Sequence, residues 1–272
     1  MKDMMIGVAG CAGRMGRALV KQICETKNCN ISGGTEVAGH KAIGLDLGEI
    51  SGLGNLGINI DTKIEKLFNI SDAIIDFSSP KSTSDNALHA SKTRTILIAG
   101  TTGLSNAEKM IIRKASKNTA IVYSANMSIG VNMLQYLVTK LANNLDENEF
   151  DIEILEMHHK HKIDSPSGTA LALGEAAAAG RGKNLEDISD RGRDGITDIR
   201  KSGNIGFASL RGGSVPGNHS VIFASENERL ELNHIAQDRS LFASGAVKAA
   251  LWAQNKKPGL YSMHDVLGLS EF

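Results

Sequence analysis

Short apolar runs alternate with amphipathic stretches over the first half of the chain. Residues 4–9, 73–77, 95–99 and 119–123 are rich in Ile, Val, Leu and Ala. They are too short for stable helices and apolar at nearly every position, the pattern of strands buried on both faces. Residues 31–36 add a second strand. Between them, residues 17–26 place Leu19, Val20 and Ile23 at helical spacing, and residues 82–91 and 105–116 read as further helices. Ser105 is followed three residues on by Glu108, a capping-box pattern. Residues 37–59 are polar and glycine-rich and read as loop. Strands in alternation with helices predict an α/β fold: a mostly parallel sheet with helices on its faces.

The pattern changes after Asn126. Residues 129–143 predict one long helix. Residues 151–157 alternate polar and apolar, as a half-exposed strand of a different sheet does. An alanine-rich helix is predicted over 168–179, strands over 203–210, 220–224 and 229–234, and a helix over 240–254. Closely spaced strands with glycine turns predict a second, mixed α+β domain. The domain limits follow as 1–127 and 128–238, with 239–272 returning to the first domain.

Composition narrows the function. Thirty basic residues balance thirty acidic ones, so no global field draws the chain to nucleic acid or to an anionic membrane. Aromatic residues make up 4%, too few for a base-stacking platform. No run approaches the ~20 apolar residues of a membrane span. The apolar start leads into a glycine-rich turn, not a cleavage site. The three cysteines lack metal-ligand spacing and read as free thiols of a cytoplasmic protein.

Two segments carry chemistry. Gly10-x-x-Gly13-x-x-Gly16 follows the first strand and opens a helix, with Glu36 at the end of the second strand. That order fits a dinucleotide, with pyrophosphate on the helix start and the acid on a ribose. An unliganded glycine turn is the alternative. Gly100-Thr101-Thr102-Gly103 ends a later strand of the same sheet, where ligands of such sheets bind. The second segment packs His158, His159, Lys160, His161 and Lys162 together, then Ser165-Pro-Ser-Gly-Thr169 at a helix start. Clustered cations repel unless an anion joins them. Imidazole and ammonium groups can also transfer protons. The alternatives are a solvated charged loop, and a metal site using Asp164; neighbouring histidines on an extended segment point apart, which disfavours metal. No metal is expected.

Read together, GCAGRMGR, IDFSSP, AGTTG, SANMSIGVN, EMHHKHKIDSPSGTA, GFASLRGG and FASGAVKAALW resemble the dihydrodipicolinate reductase family along essentially the whole chain. The resemblance implies a Rossmann-like dinucleotide-binding domain and a second domain for substrate and tetramerisation, in a homotetramer. It implies NADH- or NADPH-dependent reduction of 4-hydroxy-tetrahydrodipicolinate, a small dicarboxylate, with loss of water, in the diaminopimelate route to lysine. Matched positions assign Gly10, Cys11, Ala12, Gly13, Arg14 and Met15 to the phosphate turn and Glu36 to the adenosine ribose. Gly100, Thr101, Thr102, Ser124, Ala125, Asn126 and Met127 fall on the nicotinamide side. His158 and Lys162 take the proton-transfer roles. His159, Gly168 and Thr169 match substrate contacts, with Arg239 a further candidate at the border.

Two positions depart from the pattern. Relatives that favour NADPH often carry arginine after the ribose-binding acid; here it is Val37. A 2′-phosphate wants a guanidinium or ammonium partner, so NADH is the expected cofactor, with Lys41 or Arg14 as substitutes where NADPH is accepted. Ser79 stands before Pro80 where arginine is common. Competing readings are another two-domain dehydrogenase, of aspartate or homoserine, and a nucleotide sensor without catalysis.

Overall fold

The structure, a computed structural model, describes residues 3–269. Met1, Lys2 and residues 270–272, which the expected first domain includes, lie outside the described residues. The chain divides into two compact units, Met1–Ile129 with Arg239–Phe272, and Gly130–Asp238.

The first unit runs β1 (Met4–Ala9), α1 (Arg14–Glu25), β2 (Cys29–Thr35), α2 (Leu47–Ser51), α3 (Ile64–Ile70), β3 (Ala73–Asp76), α4 (Pro80–Thr93), β4 (Ile96–Ala99), α5 (Asn106–Ala115) and β5 (Ala120–Tyr123). Helix α6 (Ile129–Asn144) follows. The second unit continues with β6 (Asp151–His158), α7 (Gly168–Gly180), α8 (Leu185–Ile188), β7 (Ser189–Asp190), β8 (Ile205–Arg211), β9 (Asn218–Ala224) and β10 (Arg229–Ile235). The chain then adds α9 (Ser240–Ala253), β11 (Gly259–Tyr261) and α10 (Met263–Leu267) to the first unit.

The first sheet is parallel throughout, in the order β11-β5-β4-β3-β1-β2. Its side chains alternate between two cores. Ile6, Val8, Ile75, Ile98 and Val122 pack with Ile23 of α1 and Ala246 and Ala250 of α9. Ile74, Leu97 and Ile121 pack with Phe68 of α3, Ala87 of α4 and Ile112 of α5. Both faces are covered, which is why β1, β3, β4 and β5 are apolar at nearly every position. Burying each such side chain contributes about 1.5–3 kcal/mol.

Helix boundaries shift from the pattern for local reasons. α1 starts at Arg14 rather than 17, with Gly13 as its N-cap, so the glycine motif is itself the helix start. α2 and α3 escape periodicity because they span only 5 and 7 residues. α2 is held by Asp46, whose carboxylate accepts N–H groups from Gly48, Glu49, Leu56 and Ile58. α4 begins at Pro80, fixed for a first helical turn, and Ser79 Oγ accepts the Ser82 N–H as its cap. Ser79 therefore has a local role as the cap of α4. The Ser105–Glu108 capping box forms.

The second unit holds a mixed sheet, β10-β9-β6-β8-β7, in which β6 pairs antiparallel with β9 and parallel with β8. Ile152, Ile154, Val221 and Phe223 pack against Val138 of α6 and Leu173 and Ala177 of α7. α8 and β7, of 4 and 2 residues, were not foreseen. Along β6, Ile152, Ile154, Glu156 and His158 are buried and their neighbours are not. The inward face of an ordinary amphipathic strand thus ends in two titratable groups.

Candidate active site

In the first unit the sheet order reverses at β1, whose neighbours are β2 and β3. In open parallel sheets this is where ligands bind, beyond the carboxyl ends of the strands. A cavity of about 870 Å³ lies there, bordered by Gly10, Gly13, Glu36, Val37, Ser78 and Lys81. Gly10 has φ +70°, which favours glycine. The Thr35 carbonyl accepts the N–H groups of Gly10 (2.9 Å) and Cys11 (3.2 Å). A Cβ at Gly16 would collide with the Gly10 carbonyl, so only glycine lets α1 start this close to the turn. The N-cap Gly13 makes no side-chain cap bond and no acid stands in the first turn. The helix-start N–H groups and dipole are thus left to an anion from outside. The turn fits a dinucleotide pyrophosphate.

The other cofactor candidates divide. Glu36 Oε1 accepts the Ala12 N–H at 2.8 Å, so this carboxylate braces the turn as well as bordering the cavity. Arg14 is exposed; Cys11 is buried, its thiol pushed up to about 12 by burial and by Glu36, and is inert packing. Gly100 lies against Phe77, another residue of the cavity wall, where a Cβ would collide with the ring. Thr101 is buried and hydrogen-bonded to Thr83 at 2.7 Å, while Thr102 is exposed. Ser124 Oγ donates to the Asn126 carbonyl at 2.7 Å, forming a tight turn with Ala125 exposed at its tip. Met127, expected on the nicotinamide side, is fully buried in the core, and its carbonyl lies where a Cβ at Gly245 would stand.

In the second unit the proton-transfer candidate is built from β6 upward. His158, 8% exposed, sets Nδ1 2.6 Å from Glu156 Oε2. Glu156, 1% exposed, is gripped by both Arg211 terminal nitrogens at 2.8 Å. Burial pushes this carboxyl up, but hydrogen bonds from Arg211, His158 and Ser209 outweigh it and hold the group down to about 2. An ionised carboxylate only accepts, so His158 Nδ1 carries the proton and Nε2 is left as the reactive nitrogen. The His219 ring packs edge-on to His158 at 5.1 Å. Burial, then His158, push His219 down to about 4, so it is neutral near pH 7.

Lys162 Nζ pairs with Asp164 Oδ1 at 2.7 Å. That bond, with help from the Gly168 N–H, holds the Asp164 carboxyl below its usual range. Gly168 and Thr169 open α7, whose cap is Ser167 Oγ accepting the Ala170 N–H. Gly168 is exposed with open space beside it. Lysine, helix start and a bound carboxylate already form a small anion site. His159 is half-buried and stacks loosely on the exposed His161. Among the described residues no three His, Cys, Asp or Glu side chains converge to hold a metal ion. Arg239 caps α9 without a side-chain bond. Sequence reading assigned no role to Glu156, Arg211 or His219. Extending the period-2 alternation of β6 by two positions would have flagged Glu156; the other two come from strands 50 and more residues away.

Known proteins match over the same span. The family model described as dihydrodipicolinate reductase, N-terminus, matches residues 4–127, and the C-terminus model matches residues 130–267. A protein of Parvibaculum lavamentivorans named 4-hydroxy-tetrahydrodipicolinate reductase is 53% identical over 268 residues, 98% of each chain. One of the same name from Rhodopseudomonas palustris is 52% identical over 272 residues, 100% of each. The structure of a dipicolinate-bound dihydrodipicolinate reductase from Paenisporosarcina sp. TG-14 superposes with TM-score 0.76 at 21% identity, covering 96% of this chain and 97% of that one; at that identity it supports the fold. With both units matched and half of all residues shared end to end, the chain belongs to the dihydrodipicolinate reductase family.

Proposed function

We propose that this chain reduces 4-hydroxy-tetrahydrodipicolinate, with loss of water, to tetrahydrodipicolinate, using NAD(P)H, in the diaminopimelate route to lysine. The observation that carries the reading is the end-to-end identity with reductases of that name, about half of all positions, over nearly the whole chain. The dicarboxylate named in the Paenisporosarcina structure is the class of anion the second unit's cationic segment suits.

When bound, the reduced nicotinamide supplies the hydride. The turn Gly10 to Met15 would hold its pyrophosphate, Glu36 a ribose, and Gly100 to Thr102 with Ser124 to Met127 the nicotinamide end. On the substrate side, Gly168 and Thr169 would take a ring carboxylate, with Lys162 turning from Asp164 to it. His159 would contact the substrate. Loss of water leaves a conjugated imine, and hydride addition leaves an electron-rich enamine that needs a proton. The His158 ring, once it has taken up a second proton at Nε2 as the imidazolium, or the Lys162 ammonium gives it. Positive charge at the same place stabilises negative charge as it develops.

NADH is the favoured donor in this reading. Val37, 70% exposed on the cavity wall, offers no partner to a 2′-phosphate. Lys81, which also lines the cavity, is paired with Asp85 at 3.0 Å. The chain works without a metal, as a cytoplasmic homotetramer; no helix among the described residues is long and apolar enough to cross a membrane. The test is a coupled assay in which a synthase makes the unstable substrate from pyruvate and aspartate semialdehyde. Loss of reduced-nicotinamide absorbance that needs both proteins supports the reading. No loss with either cofactor, from protein that still binds dinucleotide, overturns it.

A further inference from the structure

Glu156 does more than satisfy a neighbour. Its Oε2 accepts from His158 Nδ1 at 2.6 Å and from one Arg211 nitrogen at 2.8 Å. Its Oε1 accepts from the other Arg211 nitrogen at 2.8 Å and from the Ser167 N–H at 3.2 Å. One carboxylate therefore joins three things: the imidazole at the end of β6, a guanidinium from β8, and the residue that caps α7. Arg211 reaches further, donating to the Asp164 carbonyl at 2.6 Å, and so pins the loop that carries Lys162. Ser167 closes the circuit through His219 Nε2, 3.2 Å from its Oγ.

A buried ion pair that only held two strands together would be a poor bargain, because desolvating two charges offsets most of their attraction. Here the geometry has a chemical consequence. The charge selects the His158 tautomer, and the bond to Ser167 sets the distance between that ring and the anion-binding helix start. We infer that Glu156, clamped by Arg211, is the positioning residue of this site, fixing His158 with its Nε2 free and locking it to the start of α7. The inference rests on the proposed reduction for its kinetic consequence but not for its structural one.

The groups that face His158 are Glu156 on its own strand, Arg211 on β8 and His219 on β9. His234 on β10 lies behind His219, and Lys162 and Asp164 stand on the loop before α7. None but Glu156 is within hydrogen-bond reach of Nδ1 among the bonds described, so the tautomer reports on Glu156 alone.

The first test is the ¹⁵N spectrum of the intact wild-type protein, in which the His158 ring should show a protonated Nδ1 and a bare Nε2 when neutral. The opposite tautomer overturns the inference. The second compares Glu156→Gln with Glu156→Asp. The glutamine variant should lose about 10²-fold in kcat, as for loss of an effective general acid, with KM for the dinucleotide unchanged. Aspartate should restore part of the rate. A glutamine variant with wild-type kcat overturns the inference. Should that variant fail to fold, the wild-type tautomer decides alone. An inactive wild type with the expected tautomer would sink the proposed reaction and leave the positioning role standing.

Discussion

At the scale of the residue, the density of histidine and lysine at 158–162 marked the site, but roles depend on surroundings. His158 and His159 are neighbours in sequence, yet only His158 lies on the buried face of β6 beside Glu156. His158→Gln should therefore lower kcat by about 10²–10⁴ while moving KM little. Lys162→Ala should damage both, since it removes positive charge as well as a proton donor. Steady-state kinetics of the two variants checks this, and near-full kcat in His158→Gln would refute the assignment. A second outcome follows from His219, which sits at about 4 in the fold against an ordinary 6.5. As pH falls through that window the unfolded chain takes up a proton that the native ring refuses. The stabilisation is complete above 6.5 and is lost toward 4, on the order of 3 kcal/mol. Glu156, held near 2 against 4.5, keeps its contribution above 4.5 and loses it only below. Melting temperatures across the upper window should fall in the wild type and much less in His219→Gln.

At the scale of the element, what the pattern predicts depends on length. The long helices and the strands β1, β3, β4 and β5 were legible, because two covered faces favour an apolar residue at nearly every strand position. α2, α3, α8, β7, β11 and α10 were not, since each spans too few residues for a period to repeat often enough to show. α2 exists because Asp46 gathers four N–H groups, a tertiary bond set that no window of sequence displays. The glycine turn was legible as a motif, but its fit was decided by contact. Gly16→Ala would drive a Cβ into the Gly10 carbonyl, widening the turn and shifting the helix start. Titration with NADH should show binding weakened at least 10-fold, with the second unit's fold unchanged by circular dichroism. Wild-type affinity would show that the turn does not hold the dinucleotide.

At the scale of the whole molecule, cofactor choice and assembly turn on exposed side chains. Val37→Arg should raise kcat/KM for NADPH relative to NADH, by roughly 10-fold if one charged hydrogen bond of about 1.5–3 kcal/mol is added. An unchanged ratio would place the 2′-position elsewhere. Light scattering should give four chains per particle. The apolar side chains that β8 and β10 leave exposed, Leu210, Leu230 and Ile235, are the surface such an assembly would cover. A monodisperse monomer would refute the tetramer. By itself the sequence determined the fold class, the parallel sheet and the chemical type of both segments, because period, strand length and residue type are local properties written in order along the chain. Only the tertiary structure decided which histidine is buried, that Glu36 braces the turn, that Met127 faces the core, and that Glu156 and Arg211 stand together. The brace on the turn and the pairing of Glu156 with Arg211 join residues 24 and 55 apart in sequence, brought within 3 Å by sheet register and packing.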